Sequence, residues 1–339
     1  MTMRSTQLLS PGAAGEDVQA RTPSIPVGLS RVGVTGVEKV IRVRDELFFA
    51  RLECFIDLSS SQKGAHMSRF EEVVNEAIGE VVLKESPFRA ETLAQHIAEL
   101  VRERQGAERA EVTIAARYPE HKPAPVSGVA TQEIYTLYGR AVALPSGTRR
   151  MVGVSATGMT ACPCAQELVA TRARARLLAD DFSDEQIEKV FEHVPVATHN
   201  QRGLGTLHIG CLEECAAEIE AAALLEIIEG SMSSEIYELM KRTDEVAVVE
   251  KAHRRPRFVE DCVREMIAGV VERFGELPDG SFVSARQENL ETIHQHNVIA
   301  ERHGLMSELR HEIQTQQPAS HQTTLDEWLD GSSRGLRAP

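Results

Sequence analysis

From residue 50 to residue 58 apolar and polar positions alternate, with Ala50, Leu52, Cys54, Ile56 and Leu58 on one side and Arg51, Glu53 and Asp57 on the other. A period of two predicts a strand with one buried face. A partner strand is expected just before it, over residues 32–43. The period then lengthens. Phe70, Val73, Val74, Ala77, Ile78 and Val81 make one helical stripe, and Leu93, Ile97, Leu100 and Val101 make another. Strands return over residues 110–117 and 133–143, so the first half reads ββααββ.

The second half repeats that order. Strands are expected over residues 151–156 and 206–211, followed by a long helix over 219–241. A further helix opens at Pro256, a favourable first-turn residue, and carries Val259, Cys262, Val263, Met266, Ile267, Val270 and Phe274. A strand over residues 282–287 closes the half. An insertion at 168–197 holds a helix with a Ser183–Gln186 capping box and a Phe182–Ile187 staple. The expected fold class is α+β, two tandem ββααββ modules over 29–145 and 146–313, with antiparallel sheets and helices on one side. Residues 1–28 read as a flexible arm, and residues 314–339 as a disordered polar tail holding the only tryptophan, Trp328.

Composition narrows the function. The 339 residues contain 37 Lys and Arg against 51 Asp and Glu, a net charge of −14. That balance argues against nucleic acid as a partner. No apolar run approaches the roughly 20 residues of a membrane-spanning helix, and no signal peptide is evident. Six cysteines in a chain of this length are no disulfide scaffold, so a cytoplasmic protein is expected.

The sharpest chemical feature is Thr160-Ala161-Cys162-Pro163-Cys164-Ala165-Gln166, between a predicted strand and a helix. Thiolates are soft metal ligands and strong nucleophiles, and a helix N-terminus lowers a thiol's pKa. Taken alone, Cys-x-Cys is equally a pair of small buried thiols. Around it the second half supplies Thr198-His199-Asn200-Gln201-Arg202-Gly203, then Asp244-Glu245 at the end of the predicted long helix, then Glu291-Thr292-Ile293-His294-Gln295-His296-Asn297. Thiolate, imidazole and carboxylate together suit a divalent Zn, Mn or Fe(II) ion. Glu260, one turn into its helix, is by itself an acid favoured by the helix dipole. In the first half, Lys63, His66 and Arg69 crowd a helix start, an arrangement that favours phosphate.

In QKGAHMSRF (62–70), APVSG (124–128), MTACPCAQE (159–167), THNQRG (198–203), LMKRTDE (239–245), RFVEDCVRE (257–265) and ENLETIHQHN (288–297), the chain resembles the prokaryotic type IB GTP cyclohydrolases and their archaeal relatives. The segments run in the family's order and span about residues 27–310. The resemblance implies a tunnelling fold, assembled as a homo-oligomer, expected to be a tetramer, with active sites at subunit interfaces. It implies hydrolysis of GTP at guanine C8, with loss of formate, to 7,8-dihydroneopterin triphosphate, a pterin precursor of the kind used for folate or deazapurines. It further implies one divalent metal per site, with Cys162, His199, Glu245 and His294 at the metal. Cys164 falls where the family's cysteine lies against C8, and Glu260 where its carboxylate grips the guanine edge. His296 and Glu291 would transfer protons, and Lys63, His66, Arg69 and Arg202 would meet the triphosphate, in part across subunits. The long insertion resembles the archaeal-type enzymes, which release a dihydroneopterin 2′,3′-cyclic phosphate. Against these stand another purine or pterin enzyme of the same fold and a non-catalytic metal-binding scaffold.

Overall fold

The computed structural model describes residues 17–43, 46–81, 89–212, 215 and 218–331. In the first half β1 (Leu29–Val43) and β2 (Glu46–Leu58) form a hairpin, α1 (Met67–Val81) and α2 (Ala90–Gln105) follow, and β3 (Ala110–Pro123) and β4 (Ala130–Leu144) return. The alternation of β2 decides its faces. Leu52 lies opposite Ile114 of β3, and both are buried against Phe70 and Val73 of α1 and Leu93 and Ile97 of α2. Burying each such side chain contributes about 1.5–3 kcal/mol. Gly139 admits the helix: a Cβ there would lie 2.2 Å from the backbone of Ala90, so the first residue of α2 packs directly on β4.

The second half comprises β5 (Gly147–Ala161), α3 (Pro163–Ala179), α4 (Asp184–His193), β6 (Asn200–Leu212), α5 (Ala221–Ser231), β7 (Ser234–Glu235), α6 (Arg242–Arg254), α7 (Val259–Arg273), β8 (Phe282–Leu290) and β9 (Val298–Leu305). Val152 and Val154 of β5, Leu207 and Ile209 of β6, and Val283 and Ala285 of β8 bury one sheet face against Leu224 and Ile228 of α5 and Cys262, Met266 and Val270 of α7. Burial pushes the Cys262 thiol up to about 12, which leaves it an inert core residue. Among the described residues the strands form one antiparallel sheet in the order β1-β2-β3-β4-β5-β6-β8-β9, with β7 added beside β5. The halves are continuous, because β4 and β5 pair from Thr136 opposite Ser155 to Leu144 opposite Gly147.

Four expectations are corrected. The long helix over 219–241 is broken: α5 stops at Ser231, β7 pairs with β5, and α6 begins only at Arg242. The reason is the run Ser231-Met232-Ser233-Ser234. The Ser231 hydroxyl turns back to the Ile228 carbonyl at 2.7 Å, and the Ser233 hydroxyl accepts the Ala161 N–H at 3.1 Å. Such hydroxyls offer the backbone alternatives to a helix. Asp244 and Glu245 therefore open a helix rather than end one.

Pro256 precedes α7 rather than opening it. The helix starts at Val259, and the Phe258 N–H donates to the Asp261 carboxylate at 3.0 Å. The helix expected after Cys162-Pro163-Cys164 is α3, and the helix expected within the insertion is α4, its capping box present as read.

The tail is ordered at least as far as residue 331. After α8 (Met306–Thr315), a short α9 (Leu325–Asp330) lays a fully buried Trp328 against Phe282 and Met151. The arm is also held in part, since the Lys63 N–H donates to the carbonyls of Gln19 at 3.0 Å and Arg21 at 2.8 Å. The rest of both terminal expectations, residues 1–16 and 332–339, lies outside the described residues.

Candidate active site

The strands β5 and β6 pair down to Ala161 opposite Asn200. One step beyond that pair, the Cys162 N–H donates to the His199 carbonyl at 3.1 Å, and the Thr198 hydroxyl donates to the Cys162 carbonyl at 2.9 Å. The two motifs read separately in the sequence thus meet at one sheet end. Cys162 is also the N-cap of α3, its sulfur accepting the Ala165 N–H at 3.5 Å, with Pro163 preset for the first helical turn. Cys162 is half-buried and Cys164 exposed.

Two further segments close on this end. The Arg257 N–H donates to the Ala161 carbonyl at 2.9 Å, which brings the start of α7, with an exposed Glu260, to the neighbourhood of Cys162. The loop after β8 is tied to β6 by the Thr292 hydroxyl on the Asn200 carbonyl at 3.1 Å. Within that loop the Glu291 carboxylate lies 3.8 Å from His199 Nδ1. The His294 ring stands edge-on to His199 at 6.4 Å between centroids, and His296 stacks on His294 at 5.2 Å. The paired imidazoles expected of His-x-His are therefore together, carried by a loop rather than by extended strand.

Other predicted residues lie elsewhere. Glu245 is exposed in the first turn of α6. Among the described residues no group of three or more His, Cys, Asp or Glu side chains is gathered closely enough to hold a metal ion. Arg202 is exposed on β6 one residue beyond the buried Gln201, so strand alternation sends it to the face opposite α5 and α7.

Lys63, His66 and Arg69 lie at the opposite end of the sheet. Ile56 pairs with Ala110, Ala110 with Ala143 and Ala143 with Thr148. The loop after β2 therefore sits at the start of β5, whereas Cys162 follows that strand's far end, roughly 40 Å away at ~3.3 Å per residue. There His66 Nε2 meets the Asp17 carboxylate at 3.2 Å, and Arg69 donates to the Arg104 carbonyl at 3.1 Å.

The structure also gives roles to residues that the motifs contained without a role assigned to them. Asp244 is fully buried and accepts hydrogen bonds from Val126 N at 2.9 Å, Ser127 N at 2.8 Å, Ser127 Oγ at 2.7 Å and Lys241 N at 2.7 Å. Burial pushes its pKa up, but these bonds outweigh burial and hold the carboxyl well below the usual range. It therefore pins the APVSG turn to the start of α6, which carries Glu245. Gln166 donates to the Val196 carbonyl at 2.7 Å and the His253 carbonyl at 2.6 Å, clamping α3 to the approach to His199 and to the end of α6. Gln201, buried, donates from Nε2 to the Thr160 hydroxyl at 3.0 Å and sets its Oε1 3.1 Å from His199 Nδ1. The signal for these roles was present as amide and acid letters inside the motifs. Their partners, distant in sequence, were not.

Residues 16–300 match the family described as type I GTP cyclohydrolase folE2 (GCHY-1). The chain is 42% identical over 310 residues to a protein of Methanococcus maripaludis (strain C5) named GTP cyclohydrolase MptA, covering 88% of this chain and 98% of that one. A protein of the same name from Haloarcula marismortui is 42% identical over 303 residues, with 88% and 97% covered. Among solved structures a uricase from Arthrobacter globiformis is loosely similar, with a TM-score of 0.46 and 8% identity over 82% of this chain and 93% of that one.

Proposed function

Since the chain belongs to the type I GTP cyclohydrolase family, we propose that it opens the guanine imidazole ring of GTP by hydrolysis at C8, releasing formate and leading to 7,8-dihydroneopterin triphosphate. The observation that carries this reading is the junction of Cys162 with His199, around which the starts of α3 and α7 and the loop after β8 bring Cys164, Glu260, Glu291 and His294.

The donor chemistry of that junction suits a divalent ion. The Cys162 backbone is bonded to that of His199, and the imidazole's Nδ1 is backed by an amide oxygen and a carboxylate, the usual outer support of a metal-ligating histidine. Cys162 and His199 would hold Zn, Mn or Fe(II), with Glu245 and His294 completing the set. When bound, such an ion supplies Lewis-acid activation of water.

The remaining roles belong to the chain itself. Glu260 accepts N1–H and the 2-amino group of guanine in a charge-assisted pair, which orients C8 toward Cys164. Cys164 lies against C8 as nucleophile or acid. Glu291 and His296 move protons to and from the opening ring. Lys63, His66 and Arg69 reach the triphosphate only from a second copy of the chain, because within one chain they occupy the other end of the sheet. We read the halves as tandem tunnelling-fold modules in a homo-oligomer, a tetramer, whose active sites lie between subunits.

A second reading keeps the ring opening and changes the product to 7,8-dihydroneopterin 2′,3′-cyclic phosphate. The α3–α4 insertion and the archaeal relatives favour it. Anaerobic incubation with GTP and Zn²⁺, Mn²⁺ or Fe²⁺ in turn, followed by oxidation, pterin fluorescence and phosphorus NMR, tests both. A fluorescent neopterin is the expected result, and its phosphorus spectrum separates triphosphate from cyclic phosphate. No pterin and no formate with any metal would refute the cyclohydrolase reading.

A further inference from the structure

Resting on the reading that His199 offers a lone pair at the site, we infer that Gln201, anchored by Thr160, is the positioning residue that selects which ring nitrogen carries it. A neutral imidazole has one N–H and one basic nitrogen, and the partner of one nitrogen decides the state of the other. Gln201 is 5% exposed and Thr160 is fully buried. The two are direct cross-strand partners on β5 and β6. The amide Nε2 donates to the Thr160 hydroxyl at 3.0 Å, which leaves Oε1 facing His199 Nδ1 at 3.1 Å.

An amide can be turned round, since a hydroxyl both donates and accepts. Glu291 biases that choice. Its Oε2 lies 3.8 Å from the same Nδ1, on a side chain only 6% exposed, too far for a hydrogen bond but placed to favour a proton on that nitrogen. Gln201, presenting its oxygen at 3.1 Å, accepts the hydrogen bond of that proton and holds His199 as the Nδ1–H tautomer, with Nε2 as its basic nitrogen.

Strand alternation explains why this falls to Gln201. It lies on the helix-side face with Thr160, whereas its neighbour Arg202 projects from the other. Replacing the amide by an apolar group would remove the hydrogen bond at Nδ1 and let the ring flip or exchange tautomers, with the Glu291 carboxylate no nearer than 3.8 Å.

The test uses the full-length, metal-free protein with ring-¹⁵N histidine and long-range proton–nitrogen correlation at mildly alkaline pH, His199 being assigned by its loss in His199→Asn. The wild type and Gln201→Glu, which keeps an acceptor oxygen, should show Nδ1–H, whereas Gln201→Leu should show a mixture. Zn²⁺ binding should weaken by roughly 10–100-fold in Gln201→Leu and return toward the wild-type value in Gln201→Glu. An Nε2–H wild type, or an unchanged tautomer in Gln201→Leu, would overturn the inference. Should Gln201→Leu fail to fold, Thr160→Val removes the anchor while keeping the amide, and must itself raise the Nε2–H share; an unchanged tautomer there overturns the inference equally. A wild type that shows Nδ1–H yet binds no Zn²⁺ sinks the metal reading and leaves the tautomer assignment standing.

Discussion

Trp328 sits where Gly210 has no side chain: a Cβ on that glycine would lie 2.6 Å from the indole Cη2. The indole stacks on Phe282 at 5.5 Å between centroids and donates its N–H to the Gly280 carbonyl at 2.9 Å. The tail therefore belongs to the folded core. Trp328→Ala should cost about 3–5 kcal/mol, and Gly210→Ala should destabilise by evicting the ring. Denaturant unfolding measures both; a loss under about 1 kcal/mol in each would show that α9 is not part of the stable unit.

Asp244 satisfies four donors at once, so Asp244→Ala should cost roughly 3 kcal/mol or more and loosen both the APVSG turn and the start of α6. Because its folded pKa lies below the ordinary value of 3.8, its stabilisation is present above that pH and is lost as pH falls below it. Wild-type stability should drop between neutral pH and strong acid by more than that of Asp244→Asn. Parallel pH–stability curves would remove the carboxylate from this role.

His208 lies flat over Gly153, where a Cβ would come within 2.1 Å of the ring, and beside Tyr138 at 5.3 Å. Burial, with Arg140 adding to it, lowers its pKa from 6.5 to about 4. Between those values the unfolded chain binds the proton and the folded one does not. Stability should therefore fall as pH drops from 6.5 to about 4 and then level off. His208→Phe should flatten that limb, by roughly 3 kcal/mol at most. Urea midpoints across the range decide it.

Cys162→Ala should lose metal and turnover together, whereas Cys164→Ala should keep metal and lose turnover. Metal analysis alongside pterin fluorescence separates the two. Full metal occupancy in Cys162→Ala would end its role as a ligand, and normal turnover in Cys164→Ala its place at C8. Cys162→Ser is the control for the lost helix cap, which alone is worth about 1 kcal/mol.

Glu260 is exposed in the first turn of α7, so Glu260→Ala should change stability by no more than about 1 kcal/mol. Its effect should fall on KM for GTP, or on kcat/KM if the anchor also orients C8. An unchanged rate at limiting GTP is the outcome that rejects the base-edge role.

Local pattern was enough for most of the framework. The alternation from Ala50 to Leu58, the stripe from Phe70 to Ala77 and the Ser183–Gln186 cap are set by neighbours within a few residues, and they stand in the fold as read. The motifs around Cys162, His199 and His294 were likewise visible as residue types at fixed spacing. What needed the folded chain was everything decided by partners distant in sequence. Ser233 breaks a predicted helix because the Ala161 N–H, 72 residues away, needs an acceptor. Trp328 looked like part of a polar tail because its cavity is made by Gly210 and Phe282. Asp244 and Gln201 stood inside the motifs with no partner legible until strand register and the APVSG turn placed donors around one and an imidazole against the other. Hydrophobic period is a local quantity, whereas satisfying a buried polar group depends on which strands meet, and that is settled only when the sheet closes its register.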